Sequence, residues 1–295
     1  MPRLSVIMPA HNAERTIHSA VSSTLYALPR DSELVVGLDG STDGSLEILG
    51  STKDPRLRIL ESSTKLGVAS TLNRLLDATD SKVVARMDAD DVSLPWRFRQ
   101  QERAYVPGTI QFGNVAHFGD GFRVPRPVAP LPIRPHVSVG LLLFENPFAH
   151  PTMFANREVI ARLGSYREVP AQDYDLWMRA ATSRVAMSRA ALPVVAYRHH
   201  DSQITGSSAS DRRKAESVAL AKAHRDLCDA IIGVSLECWP TLRQITSASV
   251  GDERGDEVRT LAKYARALSA NWSSTERRLL ERAISRTLNR ATRVG

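Results

Sequence analysis

Cysteine is scarce in this chain: only Cys228 and Cys238 occur among 295 residues. Two thiols cannot staple a fold, and neither has the neighbours of a metal-binding cysteine pair, so a reducing, cytoplasmic setting is the expectation. Long apolar runs are missing too. The hydrophobic stretches fall far short of the ~20 residues a membrane-crossing helix needs. No secretory leader is visible, because Met1-Pro2-Arg3 passes straight into the strand-like "LSVIM". Zinc-finger spacing, RNP-type aromatic motifs and helix-turn-helix signatures are absent, which leaves nucleic acid without support as a partner. No internal repeat is present.

What is present is an ordinary globular composition, 42% hydrophobic and 24% charged, with a net charge of +7 and a pI near 9.7. The length allows one large domain or two modest ones. The basic balance suits an anionic membrane surface or a phosphorylated small molecule once nucleic acid is set aside.

The first hundred residues alternate between two periods. Strand-like runs fall at Leu4–Met8, Glu33–Leu38, Leu57–Leu60 and Lys82–Met87. Helical spacing lies between them, with Ile17, Val21 and Leu25 on one face, a short helix near Leu46–Leu49, and Val68, Leu72 and Leu75 on another face. Asn12 is the expected N-cap of the first helix. This alternation predicts an α/β fold with a mostly parallel, Rossmann-like sheet flanked by helices. Ligands of such sheets gather at the C-terminal strand ends, where His11, Asn12, Asp39, Asp88 and Asp90 fall.

Eight of the sixteen prolines lie between Pro107 and Pro151, predicting short strands and loops there. A helix over "REVIARLG" closed by Gly164, another from about Gln172, and a strand over Pro193–Arg198 follow. "GSSAS" (206–210) reads as a linker to a C-terminal helical region. The expected domains are therefore 1–205, with a nucleotide-binding half (1–100) and an acceptor half (101–205), and 206–295.

The stretch "RMDADDV" carries Asp88, Asp90 and Asp91. Strand alternation would point Asp88 and Asp90 one way and Asp91 the other. Two hard oxygen donors suit Mg²⁺ or Mn²⁺ shared with a substrate's phosphates, rather than a calcium cage. D-x-D-x-V also fits a haloacid-dehalogenase-like phosphatase, but its place on the fourth strand and the lack of a later acidic pair disfavour that reading.

The blocks "LSVIMPAHNAERTI", "GLDGSTDGS", "KLGVASTLNRLL", "ARMDADDVSLPWR", "NPFAHPT" and "QDYDLWMR" occur in the order of the family-2 glycosyltransferases of GT-A fold. The chain resembles that family from about Leu4 to Thr205. Leu38 and Gln172 depart from the pattern, standing where Asp and Glu are usual. The resemblance implies an inverting, metal-dependent transfer from a nucleotide sugar, with a UDP-sugar as donor and a glycan or lipid-linked hydroxyl as acceptor, in cell-surface polysaccharide synthesis. It makes Asp90 the direct metal ligand, with His200 as a third metal or phosphate contact and His199 as its rival. Asp88 faces the ribose or the metal's water shell, Asp39 the base, and the backbone around Pro9, His11 and Asn12 the nucleotide. Asp173 is the general base. His150 is either an acceptor-side or a buried structural residue. A non-catalytic nucleotide-sugar-binding or scaffolding protein on the same fold is the competing class.

The last helix opens with a capping box, Ser273 to Glu276. It sets Leu280, Ala283, Ile284 and Leu288 against a stripe of Arg278, Arg282, Arg286 and Arg290. That stripe is a solvated face, a peripheral contact with an anionic membrane, or an oligomer contact. Oligomeric state is left open.

Overall fold

The computed structural model describes residues 1–121, 124–200, 213–214, 216–237, 239 and 252–292, with only the backbone of 252–255 and 288–292. The expected linker at 206–210, Cys238, and the side chains of Leu288 and Arg290 lie outside the described residues. The chain divides into two compact units. The first comprises Met1–Pro132, Phe148–Glu168 and Ala186–Ser202, and the second Ile133–Pro147, Val169–Val185 and Gln203–Gly295. This division does not follow a 205/206 boundary. The second unit takes two segments from the middle of the chain as well as the C-terminal helices.

The first unit is built on one sheet. Strands β1 (Leu4–Ala10), β2 (Glu33–Asp39), β3 (Leu57–Ser62) and β4 (Val83–Arg86) run parallel in the order β3-β2-β1-β4. Val6 pairs with Leu34 on one side and with Ala85 on the other. Strands covered on both faces read as continuous apolar runs, and every residue of β2 is buried. Helices α1 (Ile17–Ala27), α2 (Ser45–Ser51) and α3 (Val68–Asp77) connect these strands. Gly37 lets α3 lie close on β2, since a Cβ there would stand 3.0 Å from Thr71 Cγ2.

The second half of the sheet is mixed. After β5 (Val92–Ser93) and α4 (Arg97–Ala104) come β6 (Ile110–Gly119), β7 (Arg126–Pro127), β8 (Phe154–Asn156), α6 (Arg157–Arg162) and β9 (Met187–His199). The sheet continues β4-β8-β6-β9-β5, with β8 antiparallel to both β4 and β6, β9 parallel to β6, and β5 antiparallel to β9. The parallel character expected from the sequence thus holds through four strands. The proline-rich stretch contains a ten-residue strand, β6, because Pro107 precedes it and the other seven prolines fall beyond Gly119, leaving the 110–119 run free to pair.

The second unit packs α5 (Pro135–Leu142), α7 (Gln172–Thr182), α8 (Val218–Ile232), α9 (Asp252–Leu268) and α10 (Ser274–Thr292). Tyr174 Oη donates to the Leu142 carbonyl at 2.6 Å and His224 Nε2 to that of Leu143 at 2.9 Å. The expected capping box forms: Ser273 N–H donates to Glu276 Oε2 at 2.9 Å, and Glu276 N–H to Ser273 Oγ at 3.3 Å. Leu280, Ala283 and Ile284 are buried. Arg278, Arg282 and Arg286 are exposed, and Arg286 pairs with Glu145. No described helix is long and apolar enough to cross a membrane.

Candidate active site

The loop after β1 and the loop after β2 clasp each other. Asn12 has a left-handed backbone (φ 48°) and accepts the Thr42 N–H on Oδ1 at 2.9 Å. It is therefore not the cap of α1, which follows Thr16: the side chain that was to cap the helix is spent on the neighbouring loop. His11 is exposed, its Nδ1 2.7 Å from the Asp39 carbonyl oxygen, and Pro9 lies in β1 itself. The Asp39 carboxylate accepts the Leu66 and Gly67 N–H groups at 2.6 and 2.9 Å. This fixes the start of α3, an arrangement a carboxylate favours beside the orphan donors of a helix N-terminus. Leu38 is a buried member of β2.

The acids after β4 converge. Asp88, Asp90 and Asp91 each offer a carboxylate oxygen, all within 4.8 Å of one another. This corrects the expectation that Asp91 points away: β4 ends at Arg86, so strand alternation no longer applies at residues 88–91. Asp91 is 1% exposed, and burial, reinforced by the Asp88 and Asp90 charges, holds its carboxyl well above the usual carboxylate range.

Each acid has a different counterpart. Arg86, itself buried, forms a two-pronged ion pair with Asp88, donating from Nη1 to Oδ2 at 2.7 Å. His200, at the end of β9, lies with Nε2 2.9 Å from Asp90 Oδ2. Asp91 Oδ1 accepts the Arg198 backbone N–H at 2.8 Å, and Arg198 Nε donates to the Asp90 carbonyl at 2.7 Å. His199 turns instead to His117, ring nitrogens 2.8 Å apart, so of the two neighbouring histidines it is His200 that meets the acids.

Behind the acids stands Arg97, which is fully buried. Its guanidinium donates to the Arg86 and Pro151 carbonyls at 2.5 and 2.7 Å and to Gln101 Oε1 at 3.1 Å. Burial brings its pKa down to about 9, opposed by the Asp91 and Asp88 charges. Nothing in "LPWRFRQQ" distinguishes this arginine from a solvated helix residue. His150 is buried against the Tyr166 hydroxyl at 2.9 Å, the structural role. Burial, with the Arg86 charge adding to it, lowers its pKa well below the usual histidine value.

In the second unit, Asp173 is in the first turn of α7. Its Oδ2 accepts from Asn146 Nδ2 at 2.8 Å. Asn146 lies in "NPFAHPT", a block whose asparagine had no assigned role. Asp175, two residues on, is fully buried and ion-paired with Arg179 at 2.8 Å, so it is the structural acid of "QDYD".

Residues 5–164 match the family model Glycosyl transferase family 2, more than half of the chain. The chain belongs to glycosyl transferase family 2. Among its relatives, EpsE of Bacillus subtilis (strain 168) is 31% identical over 192 residues, 60% of this chain and 66% of EpsE, just under two thirds of that protein's length. The UDP-Glc:alpha-D-GlcNAc-diphosphoundecaprenol beta-1,3-glucosyltransferase WfaP of Escherichia coli is 22% identical over 246 residues, 81% of this chain and 97% of WfaP. Among solved structures, S. aureus TarS 1-349 in complex with UDP-GlcNAc superposes with a TM-score of 0.60 at 16% identity, covering 100% of this chain and 90% of that one. At that identity the likeness establishes the fold, which is GT-A. As a family-2 glycosyltransferase, the chain is an enzyme that uses a nucleotide sugar.

Proposed function

We propose that this glycosyltransferase moves a sugar, with inversion, from a UDP-sugar to a hydroxyl of a glycan or lipid-linked acceptor in polysaccharide synthesis, and that it requires a divalent cation. The observation that carries the metal requirement is the meeting of Asp90 and His200, 110 residues apart in sequence and 2.9 Å apart in space, beside two further carboxylates. A hard-oxygen set with one imidazole fits Mn²⁺ or Mg²⁺. Asp90 and His200 would hold the ion, with Asp88 toward the ribose or the ion's water shell. When bound, such an ion supplies charge stabilisation to the departing diphosphate.

The chain's own groups do the rest. The β1 and β2 loops, with Pro9, His11, Asn12 and Asp39, bind the nucleotide, and the bonds Asp39 makes to Leu66 and Gly67 keep that surface preformed. Asp173 accepts the proton of the acceptor hydroxyl as that oxygen attacks the anomeric carbon, and the bond to the diphosphate breaks on the opposite face. Asn146 holds the Asp173 carboxylate in one orientation through its 2.8 Å hydrogen bond, the service a Glu at position 172 would otherwise be expected to share. UDP-sugar use is supported by the names of WfaP and the TarS complex. Mn²⁺ is supported by the mannosyltransferase PcManGT from Pyrobaculum calidifontis in complex with GDP-Man and Mn2+ (TM-score 0.55, 18% identity). A cytoplasmic enzyme working at a membrane face is consistent with such an acceptor.

The test is donor turnover across a panel of nucleotide sugars, with Mn²⁺ and with chelator. Metal-dependent turnover of a UDP-sugar is expected. Full turnover in chelator would refute the metal requirement, and exclusive use of a GDP-sugar would refute the donor. A chain that binds donors and never transfers would instead be a binding or scaffolding protein.

A further inference from the structure

Asp91 presents an energetic puzzle. It is 1% exposed, and its Oδ2 has no hydrogen-bond partner among the described residues. Burying a carboxylate with so little compensation costs stability, so the position must return something. Its one directed bond is Oδ1 to the Arg198 backbone N–H, 2.8 Å. Arg198 reaches back in the other direction, Nε to the Asp90 carbonyl at 2.7 Å, with its guanidinium stacked 4.5 Å over Phe118 of β6. These two bonds extend the short β5–β9 ladder, Val92 with Ala196 and Ser93 with Val195, beyond its last pair. The end of β9 is thereby tied to the acidic loop two residues before the chain must present His200 to Asp90.

We infer that Asp91 and Arg198 are positioning residues: a reciprocal clasp that sets the register between the D-x-D loop and the end of β9, and so places His200 against Asp90. The inference deepens the metal-site reading above and rests on it. The clasp works through hydrogen-bond geometry rather than through the Asp91 charge. An asparagine at 91 keeps the carbonyl acceptor for Arg198, whereas an alanine does not. Groups that orient a metal ligand typically change metal affinity by about 10- to 100-fold when removed.

The test uses the full chain and two readouts that need no turnover. One is amide hydrogen exchange over residues 196–200, and the other is Mn²⁺ binding by calorimetry in the absence of donor. In D91A, exchange at the end of β9 should accelerate about tenfold or more, and Mn²⁺ affinity should fall by about tenfold or more. D91N should keep wild-type exchange and most of the Mn²⁺ affinity. Unchanged exchange in D91A would overturn the clasp. D91N losing as much Mn²⁺ affinity as D91A, with exchange intact, would also overturn it, since charge rather than register would then be at work. Should D91A not fold, R198A removes the bond to the Asp90 carbonyl together with the stack on Phe118 and should weaken Mn²⁺ several-fold, and wild-type affinity there would count against the proposal. A wild type that binds no Mn²⁺ would sink the metal reading itself, while the exchange data would still judge the clasp.

Discussion

Arg97, His150 and Asp173 show how differently three ionisable side chains are used within one chain. Arg97 satisfies carbonyls on either side of it, those of Arg86 and Pro151, from a fully buried position. Lysine has no planar fork to reproduce those bonds, so R97K should destabilise the fold by about 3 kcal/mol, the range for breaking a buried charged network, as a drop in the denaturation midpoint. His150 is held neutral by burial. Its folded pKa lies below the unfolded value, so the unfolded chain binds more protons at acid pH. Stability contributed by neutral His150 is complete above about pH 6.5 and is lost as pH falls below it. H150Q, which can keep a bond to Tyr166, should flatten that acid-side slope, by at most about 1.4 kcal/mol per pH unit for one group, in melts run from pH 7.5 to 5. Asp173 is the proposed general base. D173N should cost about 10²–10⁴ in turnover, the usual weight of a general base. N146A should lower turnover by a smaller factor with donor KM unchanged; a donor KM that rose instead would put Asn146 on the donor side.

At the scale of elements, two close approaches control the packing. A Cβ on Gly113 would fall 2.1 Å from Val194 Cγ2, at the irregularity where β6 and β9 lose register between Phe112 and Asn114. Within the second unit, a Cβ on Gly140 would fall 2.7 Å from Trp272 Cη2, where α5 receives the turn before α10. G113A should therefore be the more damaging of the two, because β9 leads directly into His200, and overpacking of this kind costs about 1–3 kcal/mol or more. A thermal melt that ranked G140A as equally damaging would show that β9 absorbs the strain. Much of the element pattern was legible in the residues. Strands β1, β2 and β4 announce themselves as apolar runs and β3 as the shorter, interrupted "LRIL", α7 begins at Gln172 as expected, and the Ser273–Glu276 box forms. What was not legible arises from contacts distant in sequence. Asn12 leaves the helix it was expected to cap because Thr42 competes for its side chain. Asp91 turns inward because β4 ends before it, and no local period encodes the Arg198 N–H that donates to it. Family resemblance points to His200 and Asp90 separately, and their meeting at 2.9 Å is a fact of the sheet order that places β9 beside β5.

At the scale of the whole molecule, the first unit gathers the sheet and the acids, while the second gathers Asp173 with α5, α7 and the C-terminal helices. A net charge of +7 suits an enzyme whose donor and leaving group are anionic. The exposed Arg278 and Arg282 of α10 add to that balance. The most direct test of the account is calorimetric binding of UDP with and without Mn²⁺ to wild type, D90N and D173N, with transfer measured in parallel. Mn²⁺ should strengthen UDP binding to wild type and to D173N alike, D90N should lose the Mn²⁺ effect, and D173N should bind fully yet transfer almost nothing. Equal UDP affinity with and without Mn²⁺ in wild type, or undiminished transfer by D173N, would contradict the account.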